Sequence, residues 1–440
     1  MMMIRTTLQA LLALALLALP LRAEIAIQEV TSPGGIKAWL VEDHGIPFTA
    51  LEIRFQGGQS LDAPGKRGAV NLMTGLIEEG TGDLDSQAFA AARDALAADL
   101  GFDSNVDAVS VSARFLTENR EQAIDLLRRA ITEPKFDPVA VERVRGQVQS
   151  IIRNSSQDPQ SIASNIFNAQ AFGTHPYASD GNGTLETVAA LTRDDIIAAH
   201  RATLARDRVF VGATGDITAA ELGTLLDTLL ANLPATGAPM PPLAPVTLSG
   251  GVTVEPFPGP QAVILFGHNG ISRDDPDYFA ATILNEVLGG GRFGARLMTE
   301  VREKRGLTYG IGTYLADYDQ ADLVVGQMSS SNETTAQAID VVRSEWARVA
   351  AEGITEQELA TTKTYLTGSY PLRFDGNARI AGILVGMQMI GLPVDYPATR
   401  NDRVNAVTLE DVKRVAARLI REGDLRFVVV GSPVGLESSN

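Results

Sequence analysis

Arg302 and Tyr309 stand seven residues apart in the stretch Glu300 to Tyr309, E-V-R-E-K-R-G-L-T-Y. A guanidinium stays charged and offers a planar fork of donors. A phenol adds one hydroxyl donor. Together the two can hold a carbonyl oxygen, or the oxyanion that develops when a carbonyl is attacked. Gly306 can end the helix that carries Arg302, so that Leu307 to Tyr309 turn back as a strand. The plain alternative makes Arg302 a surface helix residue and Tyr309 a half-buried strand aromatic, and spacing alone favours it. Arg305, one helical turn from Arg302, reads as a solvated neighbour.

Metal chemistry would need histidines at helical spacing. The stretch Gly68 to Thr81, G-A-V-N-L-M-T-G-L-I-E-E-G-T, has none. The chain's four histidines, His44, His175, His200 and His268, include no i, i+4 pair. Glu78 and Glu79 are adjacent, so on a helix they point about 100° apart and do not converge on one ion. His175 lies in a Thr-His-Pro-Tyr segment, and His200 in an apolar helical run where a satisfied core role is expected. There is no cysteine, which excludes disulfides, thiolate nucleophiles and Cys-based zinc sites. Gly289 to Gly294 contains a formal G-x-G-x-x-G, but it follows a helix rather than a strand. It reads as a turn where backbone passes close to another group, not as a nucleotide cradle. Asn154-Ser155-Ser156 and Asn182-Gly183-Thr184 match a glycosylation pattern of the kind that arises by chance.

These residues must be positioned by a chain of 440 residues, long enough for two or three domains. Its net charge of −16 argues against nucleic acid, because phosphate binding needs clustered Lys and Arg. At the N-terminus Arg5 precedes an apolar run, Ala10 to Leu19, and then Pro20-Leu21-Arg22-Ala23. About 10 apolar residues are too few to span a bilayer, which takes about 20. Residues 1–23 therefore read as a secretory signal peptide, with an uncleaved anchor as the alternative, and a periplasmic location is expected. The Pro-rich run Leu233 to Pro245 cannot continue a helix and reads as an extended linker. This divides the mature chain into a lobe at 24–234, a linker at 235–250 and a second lobe at 251–440.

The two lobes repeat one order of elements. In the first, strands are predicted at 36–41 and 50–55, helices at 68–79 and 86–96, and an alternating strand at 106–115. That last strand is a candidate edge for an extended peptide to join. Helices follow at 120–132, 138–153 and 193–204, then a strand at 209–214 and a helix opened by Thr218 and Glu221 in a capping-box pattern. In the second lobe strands are predicted at 252–256 and 262–267, helices at 278–288 and 296–304, and strands at 308–316 and 321–329. Helices at 333–351, 356–367 and 409–420 and a strand at 425–430 complete it. The repeat predicts a duplicated α+β unit of about 200 residues, each copy a layered sandwich.

Several segments in order resemble the M16 (insulinase, pitrilysin-like) metallopeptidase family in its short bacterial two-lobe form. They are Gly68-Ala69 with Gly80-Thr81, His175-Pro176-Tyr177 with Gly183-Thr184, and Leu288-Gly289-Gly290-Gly291. Arg302 with Gly306-Leu307-Thr308-Tyr309, and Gly353 to Leu359, complete the set. The resemblance covers nearly all of the mature chain. It implies an α+β fold of two homologous lobes, each an α/β sandwich of a mainly antiparallel sheet packed with helices, of the M16/LuxS-like metallohydrolase type.

The resemblance also implies where a zinc site would be. Active members carry His-x-x-Glu-His between the Gly-Ala and Gly-Thr landmarks, two zinc ligands and a general base, with a ligand Glu on a later helix. Here those places fall on Asn71, Thr74 and Gly75, and on Gln149, while the supporting glutamate remains as Glu142. No zinc is then expected in this chain. Arg302 and Tyr309 match the family's Arg and Tyr that face the zinc of the first lobe or of another subunit. The implied function is a non-catalytic subunit of a heteromeric periplasmic zinc metallopeptidase, whose M16 partner carries the intact motif and the zinc, with peptide as substrate. A homodimer in the partner's absence is compatible with this. The alternative is a catalytically inactive structural or peptide-binding scaffold.

Overall fold

The structure, a computed structural model, describes residues 25–439, and the expected signal peptide at 1–23 lies outside them. The first lobe runs β1 (Gln28–Thr31), β2 (Lys37–Glu42), β3 (Phe48–Gln56), α1 (Ala69–Thr74), β4 (Gly80–Thr81), β5 (Leu84–Asp85), α2 (Ser86–Ala95), β6 (Asp99–Ser104), β7 (Ala108–Leu116), α3 (Arg120–Thr132), α4 (Pro138–Ser155), α5 (Pro159–Phe172), α6 (Leu185–Ala190), α7 (Arg193–Thr203), β8 (Val209–Gly215) and α8 (Ala219–Leu230). The second runs β9 (Gly251–Pro256), β10 (Gln261–Asn269), α9 (Tyr278–Leu288), a π-helix (Met298–Glu303), β11 (Ile311–Tyr318), β12 (Ala321–Ser331), α10 (Thr335–Glu352), α11 (Glu356–Ser369), α12 (Asn377–Met389), α13 (Tyr396–Ala406), α14 (Leu409–Leu419) and β13 (Arg426–Gly431). Among the described residues no helix is long and apolar enough to cross a membrane.

The larger sheets have orders β1-β2-β8-β3-β7-β6 and β11-β12-β10-β13-β9. In each, the lobe's last strand runs parallel to an early one, β8 to β2 and β13 to β9, and the other neighbours are antiparallel. Leaving β1 aside, the two orders describe one topology read from opposite ends. Alternation on the strands sets two faces. On β3, Leu51, Ile53 and Phe55 are buried against the helices, while Glu52, Arg54 and Gln56 are half-buried on the other face. Capping boxes fix helix starts at Thr218 and Glu221, at Thr355 and Glu358, and at Thr408 and Asp411.

The structure departs from the sequence reading at several places, and helices α5, α6, α12 and α13 lie outside that reading. The helix expected over 68–79 ends at Thr74, because Gly75 begins a run of turns that reaches Glu78. The segment 296–304 is a π-helix over Met298–Glu303 instead of an α-helix. The strand expected over 106–115 is not an edge: β7 pairs with β3 on one side and β6 on the other, so β6 is the edge strand there.

The lobes are joined by an exchange of helices. Helix α5 of the first lobe lays Ala163, Phe167 and Phe172 on Leu265, Val325 and Val428 of the second lobe's sheet. Helix α12 of the second lobe packs on β8, β3 and β2 of the first lobe, with Leu384 and Met387 beside Trp39. Both contacts use glycine for close approach. A Cβ on Gly212 would sit 2.4 Å from the Ala381 carbonyl oxygen, and one on Gly267 would sit 2.9 Å from the Phe167 ring. The segment between the lobes is extended and tied down, with Ala244 N–H donating to Gln320 O at 2.8 Å and Thr247 N–H to Ala171 O at 2.8 Å.

Candidate functional site

Helix α1 is held at its N-terminus by Asp62, which accepts from Gly68 N–H at 2.9 Å and Val70 N–H at 2.8 Å. The negative charge suits a helix start. Arg67 clamps the corner at 176–182 by donating to the carbonyls of Pro176, Ser179 and Asp180. The approach is tight in both directions. A Cβ on Gly68 would lie 2.6 Å from Asn182 O, and one on Gly183 would lie 2.4 Å from Arg67 O. Both glycines also hold positive φ. These landmark glycines thus have a packing cause in this chain.

The positions where a zinc motif would stand are filled otherwise. Asn71 donates its side-chain amide to Asn182 Oδ1 at 3.0 Å. Thr74 is buried, and its hydroxyl donates to Val70 O at 2.8 Å. Gly75 has no side chain, and a Cβ there would touch Val144 of α4 at 3.4 Å. On α4, Glu142 is exposed and meets Arg145 at 3.3 Å, and Gln149 is half-buried. Glu79 pairs with Arg143, and Glu78 lies 3.8 Å from Arg93. These groups do not fit a zinc ion: Asn71 and Thr74 are committed to neutral hydrogen bonds, Gly75 offers no side chain, Gln149 offers only an amide, and the carboxylates of Glu78, Glu79 and Glu142 each face an arginine. Among the described residues no cluster of three or more His, Asp or Glu is arranged to hold a metal.

The four histidines are each engaged elsewhere. His44 is exposed and meets Asp216 at 2.7 Å, which raises its pKa. His175 accepts from Tyr177 N–H and bonds Pro242 O at 3.0 Å. His200 bonds Ile131 O at 2.8 Å, and His268 accepts from the Trp346 indole at 3.1 Å. Burial lowers the pKa of the last three.

Arg302 and Tyr309 come from the π-helix and the loop after it. The wide turn shows in Lys304 N–H, which donates five residues back to Thr299 O at 3.0 Å. Single π turns recur at functional sites. Gly306, at φ 64°, reverses the chain. The Arg302 guanidinium stacks on Phe293, 4.9 Å from the ring centroid. Arg305 and Lys304 instead hold Glu300 at 2.8 and 2.7 Å, which lowers that carboxyl's pKa. Tyr309 is 86% exposed. It lines an open groove of about 480 Å³ with Gln160 of α5 and Gln261, Gln327 and Ser329 of the second sheet. Neither Arg302 nor any of Asn71, Thr74, Gly75, Glu142 and Gln149 lines that groove.

The landmark at 353–359 has a structural role as well. Glu358 caps α11 through Thr355 and takes both nitrogens of the Arg296 fork at 2.7 Å. Burial alone would raise its pKa, but Arg296 and Thr355 hold it down at about 2. That pair fixes the segment leading into the π-helix.

At the far end of the lobe contact, the Tyr177 hydroxyl donates to Asp107, and Asp107 accepts from Asp319 N–H at 3.2 Å. Gln320 N–H donates to the Tyr177 oxygen at 3.1 Å, and Gln56 donates to Asp319 at 2.7 Å. Burial pushes the Asp319 carboxyl up to about 6; the Gln56 bond opposes this, and nearby Asp107 and Asp317 add to it.

Comparison with known proteins places this geometry in context. Residues 37–184 match the family model described as insulinase (peptidase family M16), and residues 190–366 match the one described as peptidase M16 inactive domain. A Helicobacter pylori protein named non-peptidase homolog YmxG is 24% identical over 392 residues, covering 89% of this chain and 90% of its own. A Streptomyces coelicolor protein named uncharacterized zinc protease is 25% identical over 403 residues, covering 89% and 86%. A crystal structure of a peptidase M16 inactive domain from Pseudomonas fluorescens superposes with a TM-score of 0.86 at 28% identity, covering 93% of this chain and 99% of that one.

Proposed function

The chain belongs to the M16 peptidase family in its two-domain bacterial form, and from that premise we propose that it works as a non-catalytic, peptide-binding subunit of a zinc peptidase. The observation that carries the reading is the contrast between the two lobes. In the first, Asn71 and Thr74 spend their polar groups on Asn182 and Val70. In the second, Tyr309 stands free and exposed, and Arg302 is propped on an aromatic ring. A second M16 subunit with an intact motif would supply zinc and general base. This chain would supply Arg302 and Tyr309, which donate hydrogen bonds to the substrate carbonyl as it gains charge. The exposed amides of Gln261 and Gln327 beside Tyr309 suit the backbone of an extended peptide. The name non-peptidase homolog, carried by the H. pylori relative, is in keeping with this reading. The pair would act in the periplasm if residues 1–23 direct export.

The test is co-expression with an M16 subunit that carries His-x-x-Glu-His, followed by a peptide-cleavage assay on each chain and on the mixture. Activity only in the mixture supports the proposal. Full activity of the zinc-bearing chain alone, with no complex formed, would leave this chain a scaffold.

A further inference from the structure

The two lobes share one topology, so α9 and β11 are the second lobe's counterparts of α1 and β6. On α1 the i, i+3, i+4 positions Asn71, Thr74 and Gly75 are packed over by the 182 corner and by Val144. On α9, Thr282, Asn285 and Glu286 have the same spacing, and there the face is open. They line a cavity of about 560 Å³ whose other walls come from β11, the Gly290-Gly291 turn and the chain from Tyr370 to Arg400.

The lining is unusual for a chain of net charge −16. Arg373 and Arg400 reach the wall, and among the described residues neither forms a salt bridge. Arg400 is 9% exposed and lies 4.4 Å over the Tyr370 ring, with one nitrogen donating to Leu366 O at 2.8 Å. Tyr370 and Tyr396 are 7% and 8% exposed, and the Tyr396 hydroxyl meets the Arg400 guanidinium. Two cations without carboxylates on one wall call for an anionic oxygen. Phe279, Phe374, Ile383 and Met387 make the rest of the surface apolar. Glu286 also faces in, where Arg292 lies 3.6 Å from it and offsets its charge, and burial raises its pKa.

We infer that this cavity binds a carboxylate carried on a bulky apolar or aromatic body, with the carboxylate at Arg373 and Arg400 and the body against Phe279, Phe374 and Met387. A peptide's C-terminal residue and a free aromatic acid share that chemistry. A cavity of this size is in the range that takes a small ligand. The inference does not depend on a partner subunit, because the cavity lies within one chain. Its test therefore stands apart from the peptidase assay.

The experiment is calorimetric titration of the full mature chain with three probes: N-acetyl-Gly-Gly-Phe with a free C-terminus, the same peptide as its C-terminal amide, and N-acetyl-phenylalanine. The free-acid peptide is expected to bind at least ten times more tightly than the amide. Arg373→Ala, an exposed position that should not disturb folding, is expected to weaken acid binding about tenfold, and Tyr370→Phe to weaken it about threefold. Peptide binding tighter than N-acetyl-phenylalanine assigns the site to C-termini, and equal binding assigns it to free acids. Equal affinity for acid and amide, no binding of either at millimolar concentration, or unchanged affinity in Arg373→Ala would overturn the inference.

Discussion

The Arg302 guanidinium lies 4.9 Å from the centroid of the Phe293 ring, and that ring is itself 66% exposed. The ring holds the cation at the surface without neutralising it, so the donors remain available to a substrate oxygen. Exposed stacking of this kind is worth about 0.5–1 kcal/mol. Phe293→Ala is therefore expected to slow peptide hydrolysis by the assembled pair about fivefold, while the melting temperature of the isolated chain stays within about 1 °C of wild type. Steady-state kinetics and thermal melts on the same preparation check this.

Rebuilding the zinc motif should be costly at its central position. Thr74 is 3% exposed and its hydroxyl bonds Val70 O, so a carboxylate there would be buried with no cation recorded against that side chain. Thr74→Glu is expected to destabilise the chain by about 3 kcal/mol, measured by urea denaturation. Asn71→Ala loses only the bond to Asn182 and should cost about 1 kcal/mol.

The helix exchange makes the lobes a single cooperative body. Phe167 of the first lobe is 1% exposed inside the second lobe's apolar layer. Phe167→Ala should cost about 4 kcal/mol. Gly212→Ala would drive a methyl against the Ala381 carbonyl and should cost about 3 kcal/mol. Calorimetry is expected to show one transition in wild type and in both variants, shifted to lower temperature. Two separate transitions would mean that the lobes unfold independently.

Asp319 makes the lobe contact pH-dependent. Its folded pKa of about 6 lies above the ordinary value of 3.8. A raised carboxyl pKa means the folded state binds the proton more tightly than the unfolded chain. The stabilisation is complete below about pH 4 and is lost as pH rises through about 6. Asp319→Asn keeps an acceptor for Gln56 and removes the charge. It should raise the melting temperature at pH 7.5 by about 1 °C or more, and the difference should shrink as pH falls through about 6 and close only near about pH 4.

Much of this architecture is legible in the residues. Alternation on β3 and β7 and the Thr-x-x-Glu or Thr-x-x-Asp starts at 218, 355 and 408 are local signals, and the repeat of element order announces the duplication. The landmark spacing also leads to Asn71, Thr74 and Gly75. What was not legible depends on distant partners. Helix α5 has only Ala163, Phe167, Ala171 and Phe172 as a buried stripe, and nothing in that stripe says that it covers the other lobe's sheet. The π-helix needs one extra residue in a turn, a feature without a composition signature. The cavity draws on α9, β11 and residues 370–400, so its arginines and tyrosines converge only in three dimensions.

The most direct test of the subunit reading is kcat/KM for peptide hydrolysis by this chain paired with a zinc-competent M16 subunit, compared across wild type, Arg302→Ala and Tyr309→Phe. The reading predicts a loss of about a hundredfold for Arg302→Ala and about tenfold or more for Tyr309→Phe, with the same complex stability by analytical ultracentrifugation. Unchanged kcat/KM in both variants, with the complex intact, would contradict it.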